Sequence, residues 1–392
     1  MEAGPVKWTW VDLLGADPSS WLLSSGEPAA ELVTLTRILG LPRTHPDAGG
    51  ARKRLLADPG LDRLISSMPA WGTDTAAGSH AMREFTPNVM NLLGDMGLCS
   101  GDDPRVDRMA AAMSEHQEDN GRFQSFGKGA HGSEGGPSGP VWGAVLCDSH
   151  AIVEVLMRFG LGEMPCVEKA IQRMSADLCC TAQGMGWPCV PHTVTGFRGP
   201  GRKADFCPQV TLEALRAFSA LPVPASQRPP ELLDAARTCV RAWRRRADEK
   251  PYMFGHGCSF KVVKWPPFWY SVYQVLSTLA RYPEVWRDPG ADPEDRRAVA
   301  EMAACLIAYN FGSDGKVIPG SCYKGFEWMS IGRKKDPSPL ATALLIAVLK
   351  QYEDIAEDIR SVDVLRLHSS KGGSGLAKPP KQARPAGADY LP

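Results

Sequence analysis

Three cysteines, Cys147, Cys189 and Cys207, are spaced in a way that soft-metal chemistry can use. Cys147 and Cys207 each open a stretch that reads as an apolar helix, and Cys189 lies with His192 in the segment joining them. His256 and Cys258 precede the next such stretch. Thiolates and imidazoles are donors that zinc prefers: three with one position left open make a catalytic site, and four make a structural one. A helix N-terminus would lower a thiol pKa toward the thiolate that zinc requires. The expected cofactor is therefore zinc, held by Cys147, Cys189 and Cys207 with His256, Cys258 or His192 as the fourth group. No short-spaced CxxC pair accompanies them, and for any one cysteine the alternative is a small buried hydrophobe. Cys99, Cys166, Cys179, Cys180, Cys239 and Cys305 read that way, lying in helical patterns or at their ends.

Two carboxylates stand beside these thiols. Asp148 follows Cys147 at a helix start, where it is either a first-turn cap or an acid, and Asp205, two residues before Cys207, has the same two readings. Either could protonate a substrate if apolar surroundings raise its pKa. The run Trp265-Pro266-Pro267-Phe268-Trp269-Tyr270, continued by Tyr273, is expected to begin a helix. Its rings either pack a core or form a wall that holds a hydrophobic small molecule and steadies a passing cation. Arg202 and Lys203 lie in a basic loop before Cys207, and Arg333, Lys334 and Lys335 form a second such loop before Ser338. Both loops are either solvated or able to hold a phosphate or carboxylate.

The elements that must position these groups recur with a spacing of roughly sixty residues, the mark of a repeat architecture. The starts are Thr86-Pro87, Cys147-Asp148, Cys207-Pro208, Pro267-Phe268 and Ser338-Pro339, with a weaker one at Glu27-Pro28. Second helices open at Pro104 and Pro165, and turns close at Gly121, Gly184 to Gly186 and Gly315. First helices such as 151–157 and 341–349 are apolar on most sides, whereas second helices such as 167–178 carry a polar face. That contrast predicts inner and outer layers. The expected fold is all-α, about six helical hairpins closed into an α/α toroid, since neither end carries a distinctly polar capping repeat. Parallel inner helices would then gather their N-termini, and with them Cys147 and Cys207, around one mouth of a central cavity.

Composition bounds the partners. Lys plus Arg (44) equals Asp plus Glu (44), so no global field draws the chain to nucleic acid. No charged-then-apolar leader opens the sequence and no apolar stretch is long enough to span a bilayer. The chain reads as cytoplasmic, without a transmembrane segment, and its 11 cysteines read as thiols or ligands rather than disulfides. Residues 1–27 form an N-terminal segment and 28–368 the toroid, while 369–392 are too rich in Gly, Pro, Lys and Ala to order. The Gly-, Ser- and Pro-containing stretch 127–140 reads as a long loop.

With the repeat in view, the chain resembles the squalene-cyclase and protein-prenyltransferase superfamily. Gln117 to Phe123 (QEDNGRF) looks like the Gln-and-Trp motif with Phe in place of Trp. Trp142 to Asp148 (WGAVLCD), Phe197 to Lys203 (FRGPGRK), Phe206-Cys207-Pro208, Tyr252-Met253-Phe254, Phe268-Trp269-Tyr270 and Gly332 to Pro339 (GRKKDPSP) are similar to an uncharacterised prokaryotic branch of squalene-cyclase-like proteins. The resemblance implies the toroid and a hydrophobic substrate, with isoprenoids the class it points to. The Asp-x-Asp-Asp acid motif of squalene cyclases is absent. Zinc at the cavity mouth is a theme of the related prenyltransferases and lanthionine cyclases, though no motif here matches either residue by residue. Three functions stay open: a cyclase-like enzyme with a metal or acid site, a zinc-dependent transferase or peptide cyclase, and a non-catalytic scaffold that binds lipid or peptide.

Overall fold

Proline sets the starts of most of the helices that matter here, because its missing N–H and fixed φ suit the first helical turn. The computed structural model describes residues 8–73, 85–128, 140–199, 201–248 and 254–368. The expected disordered tail 369–392, most of the expected loop 127–140, and His80, His131 and Tyr252-Met253 lie outside the described residues. The helices used below are α1 (Pro28–Val33), α2 (Thr86–Asp95), α3 (Pro104–Ser114), α4 (Leu146–Arg158), α5 (Pro165–Asp177), α6 (Pro208–Ser219), α7 (Glu231–Arg244), α8 (Cys258–Lys261), α9 (Val272–Leu279), α10 (Pro293–Asn310) and α11 (Pro339–Leu349). The fold is mostly helical. Among the described residues the strands form only two-stranded pairs: β1 (Ser125–Lys128) with β2 (Pro140–Gly143), β3 (Cys179–Thr181) with β4 (Gly184–Gly186), and β5 (Lys264–Trp265) with β6 (Ser321–Cys322). No described helix is long and apolar enough to cross a membrane.

The chain divides into two compact units. A mid-chain unit comprises Arg54–Ala242 and Pro251–Phe254, and a split unit comprises Met1–Lys53, Trp243–Lys250 and Gly255–Pro392.

In the mid-chain unit α4 packs against both α2 and α6. Helices α4 and α6 are buried along nearly their whole length, whereas α3 buries only Val106, Ala110 and Met113, and α5 only Val167, Ala170 and Met174. The expected alternation of buried and one-faced helices is present. Cys147 neighbours Cys207 electrostatically, His150 Nδ1 lies 3.2 Å from Val210 O, and Glu154 binds Arg216, so α4 and α6 run start to start, in parallel.

A recurring joint holds the repeat. Each closing turn sends one backbone N–H to a hydroxyl on the following buried helix: Phe123 to Ser149 (2.9 Å), Trp187 to Thr211 (3.2 Å) and Val317 to Thr342 (2.9 Å). In each case the hydroxyl lies four residues beyond the residue that precedes the helix, namely Val145, Cys207 or Ser338. Gly121, with φ of +96°, makes the first of these turns; a Cβ there would stand 2.8 Å from Lys169 O. This joint corrects the alignment of the thiols. Cys207 is the N-cap of α6 but Cys147 lies inside the first turn of α4, so the two are offset by two positions rather than equivalent.

In the split unit α11 is buried at every position and packs on α1, which brings a beginning of the repeat onto its end. The Glu27 carboxylate accepts hydrogen bonds from Ser330 Oγ (2.8 Å) and from the Leu340 amide (3.4 Å). The aromatic run, expected to begin a helix, does not. Helix α9 starts at Val272, capped by Ser271, whose hydroxyl accepts from the Gln274 amide at 3.5 Å. Trp265 instead lies in β5, paired with Cys322.

Candidate active site

A helix start exposes N–H groups and concentrates partial positive charge, so acidic and thiol side chains placed there are held in a defined field. The first turn of α4 supplies Cys147 and Asp148; the start of α6 supplies Cys207 and Gln209, with Glu213 one turn further on. All five belong to the mid-chain unit. Cys189 joins them, close enough to add to the charge felt by Cys147 and by Cys207. Cys147, Cys189 and Cys207 are therefore electrostatic neighbours, despite the offset of register.

Glu213 is the group that sequence reasoning missed. It is 1% exposed, and Gln209 Nε2 donates to its Oε1 at 2.6 Å. Its Oε2 is buried without a hydrogen-bond partner, as is Gln209 Oε1. Burial pushes the Glu213 carboxyl up to about 8, against the pull of Arg216 and Gln209. At neutral pH it is mainly a carboxylic acid. Asp148 is buried as well and pushed up to about 6 by burial, opposed by hydrogen bonds from Ser125 Oγ (2.5 Å) and from Cys147 Sγ (3.5 Å). A carboxylate on a helix otherwise buried among apolar residues was the available signal: Glu213 stands inside Val210-Thr211-Leu212-Glu213-Ala214-Leu215.

Behind the two acids lies an ion-pair network that fixes both helices. Arg216 Nε binds Glu154 Oε2 at 2.8 Å, Arg158 lies 3.7 Å from Glu154, and Arg158 binds Asp95 of α2 at 2.9 Å. Glu154 is 1% exposed, so removal of either arginine would strand a buried charge.

The thiols depart from expectation in charge. Burial, then Asp148, Glu213, Cys207 and Cys189, hold the Cys147 thiol well above its ordinary range. Burial pushes Cys207 up to about 12, although the Val210 and Gln209 amides at the start of α6 act in the lowering direction. The helix terminus is outweighed by desolvation, so both are thiols and not thiolates. Among the described residues no three His, Cys, Asp or Glu side chains are placed to hold a metal ion.

The remaining expected residues take other places. Asp205 accepts from Arg202 Nε at 2.6 Å and from Gln183 Nε2 at 2.9 Å, which occupies both its oxygens and makes it an anchor of the loop before α6. Lys203 is exposed. His192 is buried, with Nδ1 accepting from the Val194 and Thr195 amides at 3.2 and 3.1 Å. Burial holds its pKa below the ordinary value. His256 and the aromatic run belong to the split unit. His256 Nε2 lies 2.9 Å from Tyr270 Oη; Trp265, Phe268, Tyr270 and Tyr273 are buried, and Trp269 is half-buried. Trp265 packs on Tyr273, and Phe268 packs on Tyr323 and Phe326.

Asp148 and Glu213 thus form a buried pair of carboxyls on parallel helices, one of them neutral with an unbonded oxygen. No family model, curated protein or solved structure matches the chain.

Proposed function

We propose that the chain is an enzyme that applies acid chemistry to a hydrophobic small molecule, using Glu213 and Asp148 within an α/α toroid of about six hairpins. The observation that carries this reading is the Glu213 carboxyl, 1% exposed with Oε2 unbonded. Leaving such an atom unsatisfied costs on the order of 1–3 kcal/mol, an expense that a purely structural role does not explain. In this reading Glu213 delivers a proton to an alkene, ether or carbonyl of a substrate too apolar to hold water beside it. Asp148, fixed by Ser125, sets the field in which positive charge develops. Isoprenoids suit such a site because they are apolar and react by protonation.

The test is turnover of linear isoprenoid alkenes and alcohols of ten to thirty carbons, with products separated by gas chromatography and identified by mass. Glu213→Gln should lower turnover by about 10²-fold or more, the usual contribution of a general acid, and Asp148→Asn should also lower it. Full activity in a folded Glu213→Gln protein would remove the acid reading.

A second reading is supported by the electrostatic coupling of Cys147, Cys189 and Cys207 beside two carboxyls. Zinc held by these thiols, with a neighbouring carboxylate as fourth ligand, would supply a Lewis acid and keep the thiols as thiolates. The protein should then copurify with zinc, and Cys207→Ser should release most of it. A wild-type protein that stays metal-free when offered zinc would leave the thiols as core residues.

A further inference from the structure

Lys261, in the split unit, is a buried amine for which the chemistry of the mid-chain acids has no use. It ends the short helix α8 and is 3% exposed. Its position is fixed by Asn310 at the end of α10, whose Nδ2 donates to Lys261 O and whose Oδ1 accepts from the Val263 amide, both at 2.9 Å. The ammonium nitrogen lies 5.8 Å from the centre of the Trp243 ring and 5.4 Å from that of Tyr309. Cys305, Arg246 and Cys258 are its other electrostatic neighbours. The nearby carboxylate Glu301 is otherwise engaged, accepting from Trp243 Nε1 at 2.8 Å and lying 3.7 Å from Arg246 and 3.6 Å from Arg297. Among the described residues no ion pair joins Lys261 to an acid.

A buried lysine placed among rings and thiols, instead of carboxylates, is poorly suited to hold an anion and well suited to act as a neutral nucleophile. We propose that Lys261 captures carbonyl compounds, forming an imine with an apolar aldehyde of about the size of an aromatic ring, seated against Trp243 and Tyr309. The Nζ lone pair adds to the carbonyl carbon, the C=O bond is replaced by C=N, and the oxygen leaves as water carrying the two hydrogens of the amine. Neither oxidant nor reductant is needed. Burial lowers the pKa of Lys261, which enlarges the reactive neutral fraction at pH 7. Cys305 does not compete at that pH, because burial pushes its thiol up to about 12. At the other end of α8, among the described residues, Gly255 and Gly257 are exposed, with no atom within 4 Å of where a Cβ would stand.

The experiment treats the full chain at pH 7 with benzaldehyde and cyanoborohydride, which reduces an imine to a stable secondary amine, and maps the adducts by peptide mass spectrometry. Lys264, exposed and three residues away, is the internal control. Lys261 should be labelled several-fold faster than Lys264, the direction that its burial sets, and urea-unfolded protein should lose the difference. Equal rates in the folded protein, or an unmodified Lys261 after Lys264 has reacted, would overturn the proposal. Lys261→Met, which keeps the length and apolar stem, should abolish the fast phase; its persistence in a folded Lys261→Met protein would also overturn the assignment.

Discussion

At the scale of single residues, two buried groups set opposite pH dependences. Glu213, raised from 4.5 to about 8, contributes stability that is complete below pH 4.5 and lost as pH rises through about 8. His150, lowered from 6.5 to about 4 by burial, contributes stability that is complete above pH 6.5 and lost as pH falls through about 4. Urea midpoints measured across this range should therefore diverge on one side only: Glu213→Gln gains on wild type from pH 5 to 8 and runs parallel beyond. Parallel curves throughout would show that Glu213 is ionised in the folded protein at neutral pH. Cys147, Cys207 and Asp148 were legible in the sequence because they sit at helix starts. Glu213 was not, since its neighbour Asp148 comes near it only when α4 and α6 pack.

At the scale of elements, the joint between each closing turn and the next helix has a measurable strength. Thr211→Val keeps the shape of the side chain but leaves the Trp187 amide without its acceptor, in a residue that is fully buried. A loss of about 1–3 kcal/mol is expected by urea unfolding, and Thr342→Val should cost a similar amount through Val317. No change in either would mean that the turns are held by packing alone. Helix starts were legible at Thr86, Pro104, Pro165, Pro208 and Pro339, because proline marks the first turn by its own geometry. The register of the thiols was hidden: Cys147-Asp148 imitates the phrase Cys207-Pro208, while the true equivalence rests on Ser149, Thr211 and Thr342, whose partners lie in the preceding turns. The aromatic run misled for a related reason, since Pro266 and Pro267 resemble a helix start but precede the capping Ser271.

At the scale of the whole molecule, residues 8–53 and 255–368 share one unit, and the contact that joins them can be weakened selectively. Glu27→Ala removes an acceptor used by Ser330 and by the Leu340 amide, about three hundred residues later in the sequence. The protein should lose about 1–3 kcal/mol, and hydrogen exchange should quicken at Leu340. Unchanged protection there would show that α1 is a passive neighbour of α11. The split composition of this unit also bears on the order of synthesis. When residue 242 leaves the ribosome, all of the mid-chain unit has been made except Pro251–Phe254, whereas Met1–Lys53 still lacks every later segment of its own unit. Residues 8–53 are then made long before the later segments of their unit. Leu32, Val33 and Leu35, all buried in the finished fold, must wait for α11 to emerge before the packing of α1 on it can form.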